Sequence, residues 1–307
     1  MRDSDTDTLI DTAISERMAD KKRRIDSARP LSAAVLKKLA EDLRLRHTYH
    51  SNAIEGNTLT LQETKLVLES GVTVSGKPLR DHLEAVNGAE AFDLMEKLAR
   101  GRKPIDHIVV QQLHETLTRG LLEDAGKYRT LNIRIAGARK SPPDFAKVPK
   151  LMEELIASLR RPKAEAVETA AILHHGLVSI HPFVDGNGRV ARLLANLYLI
   201  RRGYPPVVLR TEDRARYYRC LRRGDRGDLK PFVNFLARAV DESLTYHLSA
   251  FGGKDELLPL NVLAGETPYS QEYLSLRARQ GKLDAAKLGR VWHSSKRAVT
   301  DYVKKQS

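Results

Sequence analysis

The chain has 307 residues, 41% of them hydrophobic, which suits one large domain with a smaller one. The single cysteine, Cys220, excludes an internal disulfide, and the lack of a long uninterrupted apolar run excludes a spanning helix. The formal net charge of +13 fits either a polyanionic partner or simply a basic surface. The polar, acidic start lacks the pattern of a secretory signal, so we expect a cytoplasmic protein without a membrane partner.

Helical periodicity dominates the chain up to residue 250. Thr60 is a predicted N-cap that forms a capping box with Glu63. One segment departs from this pattern, because Leu131–Ala136 alternates apolar and polar residues and predicts a short strand or hairpin at the surface. The predicted helices span Leu31–Leu45, Leu61–Leu68, Asp81–Leu98, Ile105–Leu117, Val148–Leu159, Ala164–Ile180, Val190–Ile200, Arg210–Arg222 and Leu229–Leu248.

A separate module is predicted after a hinge at Phe251–Gly253. Its order of helix, turn, helix, hairpin and helix is typical of a winged helix-turn-helix. Residues 267–307 carry nine Lys or Arg and three Asp or Glu, so the module is basic. The predicted elements are a helix over Leu257–Ala264, a turn over Gly265–Pro268, a helix over Tyr269–Gln280, a hairpin over Gly281–His293 and a helix over Ser295–Val303.

Residues 181–192 read His-Pro-Phe-Val-Asp-Gly-Asn-Gly-Arg-Val-Ala-Arg, between two strongly helical stretches. Gly186 and Gly188 allow a close backbone approach, and exposed N–H groups at a helix start form an anion cradle. Arg189 and Arg192 are three residues apart, so their guanidinium groups lie on one helix face and suit adjacent phosphates.

The same segment contains the groups that phosphate chemistry needs. Asp185 offers a hard oxygen ligand for Mg²⁺, which usually binds through one or two carboxylates and substrate phosphates. His181 is a candidate general base, since an ordinary imidazole is mostly neutral at pH 7. A capped helix start with a structural histidine fits part of the pattern, but it does not require this whole set of residues.

The segment resembles the signature of the Fic family, His-Pro-Phe-x-(Asp/Glu)-Gly-Asn-Gly-Arg-x-x-Arg, and every fixed position is matched. The resemblance implies a mainly α Fic-fold bundle with a short hairpin flap. It also implies transfer of AMP from Mg-ATP to a protein hydroxyl, with His181 as the base and Asp185 holding Mg²⁺. The implied nucleotide-binding residues are Gly186, Asn187, Gly188, Arg189 and Arg192.

Two further segments carry the resemblance beyond the loop. Gly126–Arg129, with the alternating segment and Pro142–Pro143 after it, resembles the Fic flap, which registers a target segment by strand addition. Tyr217 and Tyr218 resemble the base-binding region, which implies that Tyr218 contacts adenine. Asp225 stands where the family often has Asn, which leaves the nucleobase preference open; the complete motif favours AMP and does not exclude UMP.

Ser51 and Glu55 lie four residues apart on one face of a helix that Gly56 can end. An ordinary capped helix end has the same pattern. The segment also resembles the Fic inhibitory motif (Ser/Thr)-x-x-x-Glu-(Gly/Asn), in the class whose inhibitory helix precedes the core, here at about residues 47–57. The resemblance implies that Glu55 pairs with Arg192 in a bidentate contact and obstructs the γ-phosphate. In some members this glutamate aligns a water that removes AMP, so addition and removal both stay open.

The C-terminal module resembles excisionase-like winged helix-turn-helix domains of some bacterial Fic proteins. The resemblance implies that Gln271, Ser275 and Arg279 face a DNA groove, and that Lys287 and Arg290 touch phosphates. A basic protein-docking or dimer module fits the same residues.

We therefore expect an N-terminal helical region with the inhibitory helix over 1–100, a Fic core over 101–250 and a winged helix-turn-helix over 251–307. The leading hypothesis is a Mg²⁺-dependent protein adenylyltransferase with ATP and an unidentified protein as substrates, restrained by Glu55. The alternatives are AMP removal at the same site and a DNA-binding regulator whose Fic domain only senses nucleotide. The presence of His181 argues against the regulator, because binding alone needs no base. A homodimer stays open.

Overall fold

The computed structural model describes residues 8–28, 32–101, 103–134, 141–160, 162, 164–289 and 291–306. These residues are mainly helical, so the predicted fold class is confirmed. The α-helices are α1 Thr12–Ser27, α2 Ala33–Ile54, α3 Leu61–Ser70, α4 Leu79–Arg100, α5 His107–Thr118, α6 Val148–Ser158, α7 Ala166–Ile180, α8 Asn187–Arg201, α9 Arg214–Gly224, α10 Lys230–Ser249, α11 Leu260–Ala264, α12 Gln271–Arg279 and α13 Lys296–Gln306. None of these described helices is long and apolar enough to cross a bilayer.

The chain forms two compact units. The first combines Met1–Ile10 with Asp42–Leu236, and the second combines Asp11–Glu41 with Ala237–Ser307. Helices α2 and α10 each contribute residues to both units. The functional division at residues 100 and 250 stays a prediction.

Helix α8 is the centre of the first unit. From Asn187 to Leu199 nearly every side chain is buried, and α4, α5 and α7 pack against it. A helix that is enclosed on all sides belongs to the middle of a core. The first turn of this central helix therefore has a fixed position, and it carries the arginines of the 181–192 segment.

The first turn of α3 confirms the capping box. The Thr60 hydroxyl accepts a hydrogen bond from the Glu63 backbone N–H, at 3.2 Å, and the Glu63 carboxylate accepts one from the Thr60 N–H, at 2.7 Å. Gly71 ends the helix in the left-handed region, with φ of 65°. Local sequence was sufficient here because every partner lies within one helical turn.

The predicted strand is not observed where the structure describes it. Leu131–Arg134 is irregular, and the remaining residues of the predicted flap, 135–140, lie outside the described part. A strand requires a ladder partner for its backbone groups. The Leu131 carbonyl instead accepts a hydrogen bond from the Arg129 guanidinium, at 2.9 Å.

The second unit contains a small antiparallel sheet in the order β1–β3–β2, built from Leu258–Pro259, Ala286–Leu288 and Val291–Ser294. Leu258 pairs with Ser294, and Ala286 pairs with His293. The helix predicted from Leu257 starts later, at Leu260, because Leu258–Pro259 forms the edge strand β1. The core of this module joins Leu260, Leu263, Leu274, Ala278, Leu283, Ala285, Val299 and Tyr302.

Helix α1 in the second unit was not predicted. It buries Ile14, Met18 and Ile25 at helical spacing, but the same face also buries Lys21. The Lys21 ammonium is only 2% exposed and donates to the carboxylates of Asp241, at 2.7 Å, and Asp284, at 2.5 Å. A buried lysine breaks the apolar pattern from which helices are predicted, and its acidic partners are more than 200 residues away.

Candidate active site

The segment from 181 to 186 joins two packed helices through left-handed backbone at both ends. His181 ends α7 with φ of 52°, and among the described residues it is the one non-glycine with positive φ. Such a conformation costs of order 1 kcal/mol and is common at functional sites. Gly186 caps α8 with φ of 79°, and a side chain there would press on Thr118 and the His114 ring. The first backbone N–H groups of α8 have no partner within the helix, so the end of this loop is suited to bind an anion.

The Asn187 side chain closes this loop from inside. Its Oδ1 accepts a hydrogen bond from the Phe183 N–H, and its Nδ2 donates to the Phe183 carbonyl, both at 2.9 Å. Asn187 is 2% exposed, and these two hydrogen bonds hold its buried amide against the loop backbone. The phosphate contact expected of this residue stays a prediction, for which its backbone N–H is the better placed group.

A histidine that sequence reasoning missed supports the loop from α5. The His114 ring stacks on Phe183 with 3.7 Å between ring centroids. Its Nδ1 accepts a hydrogen bond from the Gly126 N–H, at 2.9 Å, so Nε2 carries the proton and donates to the Asp185 carbonyl, at 3.0 Å. Burial lowers the pKa of His114 to about 4, which keeps the ring neutral.

Arg129 anchors the other side of the loop. Its buried guanidinium donates to the carbonyls of His181, at 2.9 Å, Leu131 and Pro143. Its backbone N–H also donates to the Pro182 carbonyl, at 2.9 Å. The side chain therefore ties the start of the loop to the segment predicted as the flap.

The orientation of the His181 imidazole follows from one hydrogen bond. Its Nδ1 lies 3.2 Å from the Val178 carbonyl, which only accepts, so Nδ1 carries the proton and Nε2 keeps its lone pair. Burial lowers the pKa of His181, the Val178 hydrogen bond raises it, and the Arg129 charge lowers it further. The net pKa is below the ordinary value, so the ring is neutral at physiological pH and able to accept a proton.

Asp185 presents a half-exposed carboxylate next to these groups, with 47% of its side chain accessible. Its Oδ1 accepts a hydrogen bond from the Gly186 N–H, at 2.7 Å. Its Oδ2 lies 2.9 Å from the Arg80 guanidinium and 3.5 Å from that of Arg189. No group of three metal-ligating side chains occurs among the described residues. One hard carboxylate beside a phosphate cradle fits Mg²⁺, which takes its other ligands from phosphates and water.

Arg189 is 2% exposed and is paired only in part. The Glu84 carboxylate lies 3.2 Å from its Nη1, while its Nε has no hydrogen-bond partner among the described residues. A buried guanidinium with unused donors favours an anionic ligand that supplies further acceptors. Glu84 is a second residue that sequence reasoning missed.

Arg192 is held by the segment that was predicted to be inhibitory. Its Nε donates to the Ser51 hydroxyl, at 2.9 Å, and its Nη2 donates to the Ser51 carbonyl, at 2.8 Å, and to Glu55 Oε1, at 2.7 Å. The ion pair expected from the sequence is therefore present. It is not bidentate, because Nη1 lies against the Tyr217 hydroxyl, at 3.4 Å, and Nε is taken by Ser51.

The second oxygen of Glu55 reaches the predicted base-binding residue. Oε2 accepts a hydrogen bond from the Tyr218 hydroxyl, at 3.3 Å. Arg214 lies over the Tyr218 ring, 5.0 Å from its centroid, and donates to the Ile54 carbonyl at the end of α2, at 2.7 Å. A Cβ at Gly188 would overlap Glu55, so only glycine allows this carboxylate against the start of α8.

Asp225, whose identity left the nucleobase preference undecided, contacts other side chains of the protein. Its Oδ1 lies 3.1 Å from His175 Nε2 and accepts from the Ser179 hydroxyl, at 3.4 Å. Both partners lie on α7. The structure therefore brings the predicted site residues of the first unit together around the 181–192 loop, while the described side-chain contacts of Asp225 are with α7.

Comparison with known proteins identifies the family. The family model described as "Fic/DOC family" matches residues 104–199. The solved structure of Fic-1 from C. elegans is 31% identical, with a TM-score of 0.71, and the match covers 78% of this chain and 72% of that one. The chain belongs to the Fic family.

Other Fic proteins give the same result. A Fic domain-containing signalling protein from Bacteroides thetaiotaomicron is 30% identical with a TM-score of 0.70, and the match covers 77% of this chain and 96% of that one. A relative from Nematostella vectensis named "Protein adenylyltransferase Fic" is 32% identical over 246 residues, or 78% of this chain. The chain spans 57% of the length of that relative.

Proposed function

We propose that the chain is a protein adenylyltransferase that transfers AMP from Mg-ATP to a hydroxyl of another protein and is restrained by Glu55. The Fic relatives named protein adenylyltransferase support the reaction class. The observation that carries the proposal is the buried Arg192, held by Glu55 at 2.7 Å beside a loop that contains a neutral histidine.

In this proposal His181 Nε2 takes the proton from the attacking hydroxyl. The α-phosphorus then forms a bond with that oxygen, and pyrophosphate leaves. The N–H groups of Gly188 and its neighbours, with Arg189 and Arg192, hold the phosphates and stabilise their developing charge. Asp185 would hold Mg²⁺, which supplies additional neutralisation of the phosphate oxygens when bound.

Glu55 restrains the reaction because it occupies the donors that a terminal phosphate needs. Its two oxygens lie at Arg192 and Tyr218, which are the proposed γ-phosphate and adenine contacts. A nucleotide must therefore displace the carboxylate or bind with its α-phosphate misplaced. The removal of this carboxylate is expected to release the activity.

The test uses ATP labelled at the α- or the γ-phosphate, added to lysate with Glu55→Gly protein. Transfer of the α-label alone supports AMP transfer, and transfer of the γ-label would instead indicate kinase-like chemistry. His181→Ala in the same background is expected to abolish transfer. Equal incorporation by wild type and Glu55→Gly, across several candidate targets, would refute the restraint.

AMP removal is a second candidate, and one observation favours it. The Glu55 side chain is 31% exposed, and its carboxylate lies against Gly188 at the start of α8, so it is open to water next to the loop that contains His181. In this role Glu55 would align the water that attacks the phosphorus. Incubation of an AMP-modified target with wild type and with Glu55→Gly distinguishes the two, because only the hydrolytic role makes wild type the faster enzyme at AMP release.

We also propose that the segments 1–100, 101–250 and 251–307 serve as inhibitory region, catalytic core and DNA-binding module. Support for the last comes from the order of its elements and from Ser270, which caps α12 by accepting from the Tyr273 N–H. Gln271, Ser275 and Arg279 lie on that helix, and Lys287 lies on β2; Arg290 is outside the described residues.

The test is binding to genomic DNA fragments at increasing salt, where phosphate contacts predict a steep loss of affinity. Binding that is absent or insensitive to salt would contradict the DNA role and favour docking to a protein or to a second copy. The DNA-regulator alternative and a cytoplasmic setting also stay proposals.

A further inference from the structure

Arg80 is a basic side chain of this region that neither the sequence motif nor the proposed reaction uses. It lies in the first turn of α4, far from the 181–192 loop in sequence. Its Nη2 nevertheless donates to Asp185 Oδ2, at 2.9 Å, and its Nε donates to Glu84 Oε1, at 3.2 Å. The guanidinium therefore bridges a residue of its own helix and the carboxylate proposed to hold the metal.

The position of Arg80 is set by its helix neighbour. Glu84 is 8% exposed, and its Oε2 accepts a hydrogen bond from the Asn57 side chain, at 3.0 Å. Its Oε1 is shared between Arg80 and Arg189, at 3.2 Å each. Because Glu84 is fixed in this way, the i,i+4 contact on α4 directs the Arg80 guanidinium towards Asp185.

We infer that Arg80 is a second intramolecular lock on this site, a cation of the protein itself that occupies Asp185 until a metal–nucleotide displaces it. The inference rests on the proposed function, because it takes Asp185 as the metal ligand. Asp185 Oδ1 is already engaged by the Gly186 N–H, so Oδ2 is the oxygen over which Arg80 and a divalent cation compete.

Asp185 Oδ2 already lies 2.9 Å from the Arg80 guanidinium and 3.5 Å from that of Arg189, so a divalent cation bound there would be strongly repelled by the nearer guanidinium. A metal that binds at Asp185 must therefore release Arg80, and the cost of that release raises the metal concentration that nucleotide binding requires. The lock differs from that of Glu55, which occupies the donors for the phosphates rather than the acceptor for the metal.

The test measures the Mg²⁺ concentration that nucleotide binding requires (the Mg²⁺ demand) rather than turnover. In the Glu55→Gly background, calorimetry follows the binding of an ATP analogue with a non-cleavable α–β bridge at a series of Mg²⁺ concentrations. Arg80→Gln is expected to lower the Mg²⁺ concentration for half-maximal binding about 2- to 5-fold, the range of a largely exposed ion pair. Arg100→Gln is the matched control, since Arg100 lies on the same helix and its ion pair among the described residues is with Glu96, at 3.4 Å. It is expected to leave the Mg²⁺ demand unchanged.

An unchanged or increased Mg²⁺ demand in Arg80→Gln would overturn the lock, and an increase would instead indicate that Arg80 helps to hold the nucleotide. The absence of any Mg²⁺-dependent binding in the Glu55→Gly parent would remove the nucleotide site itself, and with it both the lock and the proposed function. A titration with Mn²⁺, in which electron paramagnetic resonance measures the free ion, gives a second, independent measure of the metal affinity.

Discussion

Replacement of Glu55 is expected to destabilise the free protein and to improve nucleotide binding by a similar free energy. In the free protein the Glu55 carboxylate neutralises a guanidinium that is only 3% exposed. Without it, Arg192 keeps three neutral acceptors, the Ser51 hydroxyl, the Ser51 carbonyl and the Tyr217 hydroxyl. The charge itself would remain buried without a counter-charge.

The size of the effect follows from the burial of the two partners. A hydrogen bond to a charged group contributes about 1.5–3 kcal/mol, and breaking a fully buried pair costs about 3–5 kcal/mol. Glu55 is 31% exposed, so solvent screening reduces the larger figure, and we expect a loss of about 2 kcal/mol. In a unit of this size that loss corresponds to roughly 4–8 °C in Tm.

The same contact must be broken before a terminal phosphate can reach Arg192. An advantage of about 2 kcal/mol for the free protein converts to about 30-fold weaker nucleotide binding in wild type than in Glu55→Gly. Mg-ATP at 100 times its Kd stabilises a protein by about 2.7 kcal/mol, so the bound variant is expected to regain the stability that the free variant loses.

Scanning calorimetry and titration calorimetry of wild type, Glu55→Gly and Glu55→Gln provide the assay. Glu55→Gln keeps the shape and one acceptor but loses the charge, which separates electrostatics from the added backbone freedom of glycine. The glutamine variant is expected to lie between the other two in both measurements. Equal Tm values in the free state together with equal nucleotide affinities would refute the reasoning.

Three further variants test contacts elsewhere. Burial lowers the pKa of His47 to about 3, below its unfolded value, so the unfolded state binds the proton first and the free energy of unfolding falls as the pH drops below 6.5. In urea unfolding of His47→Leu, the decrease in the free energy of unfolding between pH 6.5 and 5 is expected to be smaller than in wild type by about 2 kcal/mol. His114→Phe keeps the stacking on Phe183 but leaves two backbone groups unpaired, and should cost about 2 kcal/mol by the same assay. Lys21→Met removes the ammonium that pairs with Asp241 and Asp284, so the free energy of unfolding should fall by roughly 3–5 kcal/mol, measured as a lower urea midpoint.

Much of the fold could be predicted because the helices carry their own periodicity and caps. The Thr60–Glu63 capping box and the Asn187–Phe183 hydrogen bonds of the loop before α8 join residues within a few positions of each other. Helix α1 was missed because its buried Lys21 requires partners from distant segments, and the edge strand Leu258–Pro259 was missed because two residues carry no period. Such elements are determined by tertiary contacts, which a local pattern does not contain.

The candidate site also contains two kinds of residue. The side chains of His114 and Asn187 hydrogen-bond to backbone groups and so fix the shape of the loop. The sequence motif cannot separate such residues from those proposed to face the nucleotide, since it contains both kinds and omits His114 altogether.

The ion pairs and unpaired donors of the described site residues distinguish the two kinds of residue. Arg192 and Asp185 are paired with side chains of opposite charge, Glu55 and Arg80, which in the proposed function a phosphate and a metal ion would replace. Arg189 has a buried Nε without a hydrogen-bond partner among the described residues. In the proposed function, a metal–triphosphate brings both signs of charge and would therefore release both pairs at once.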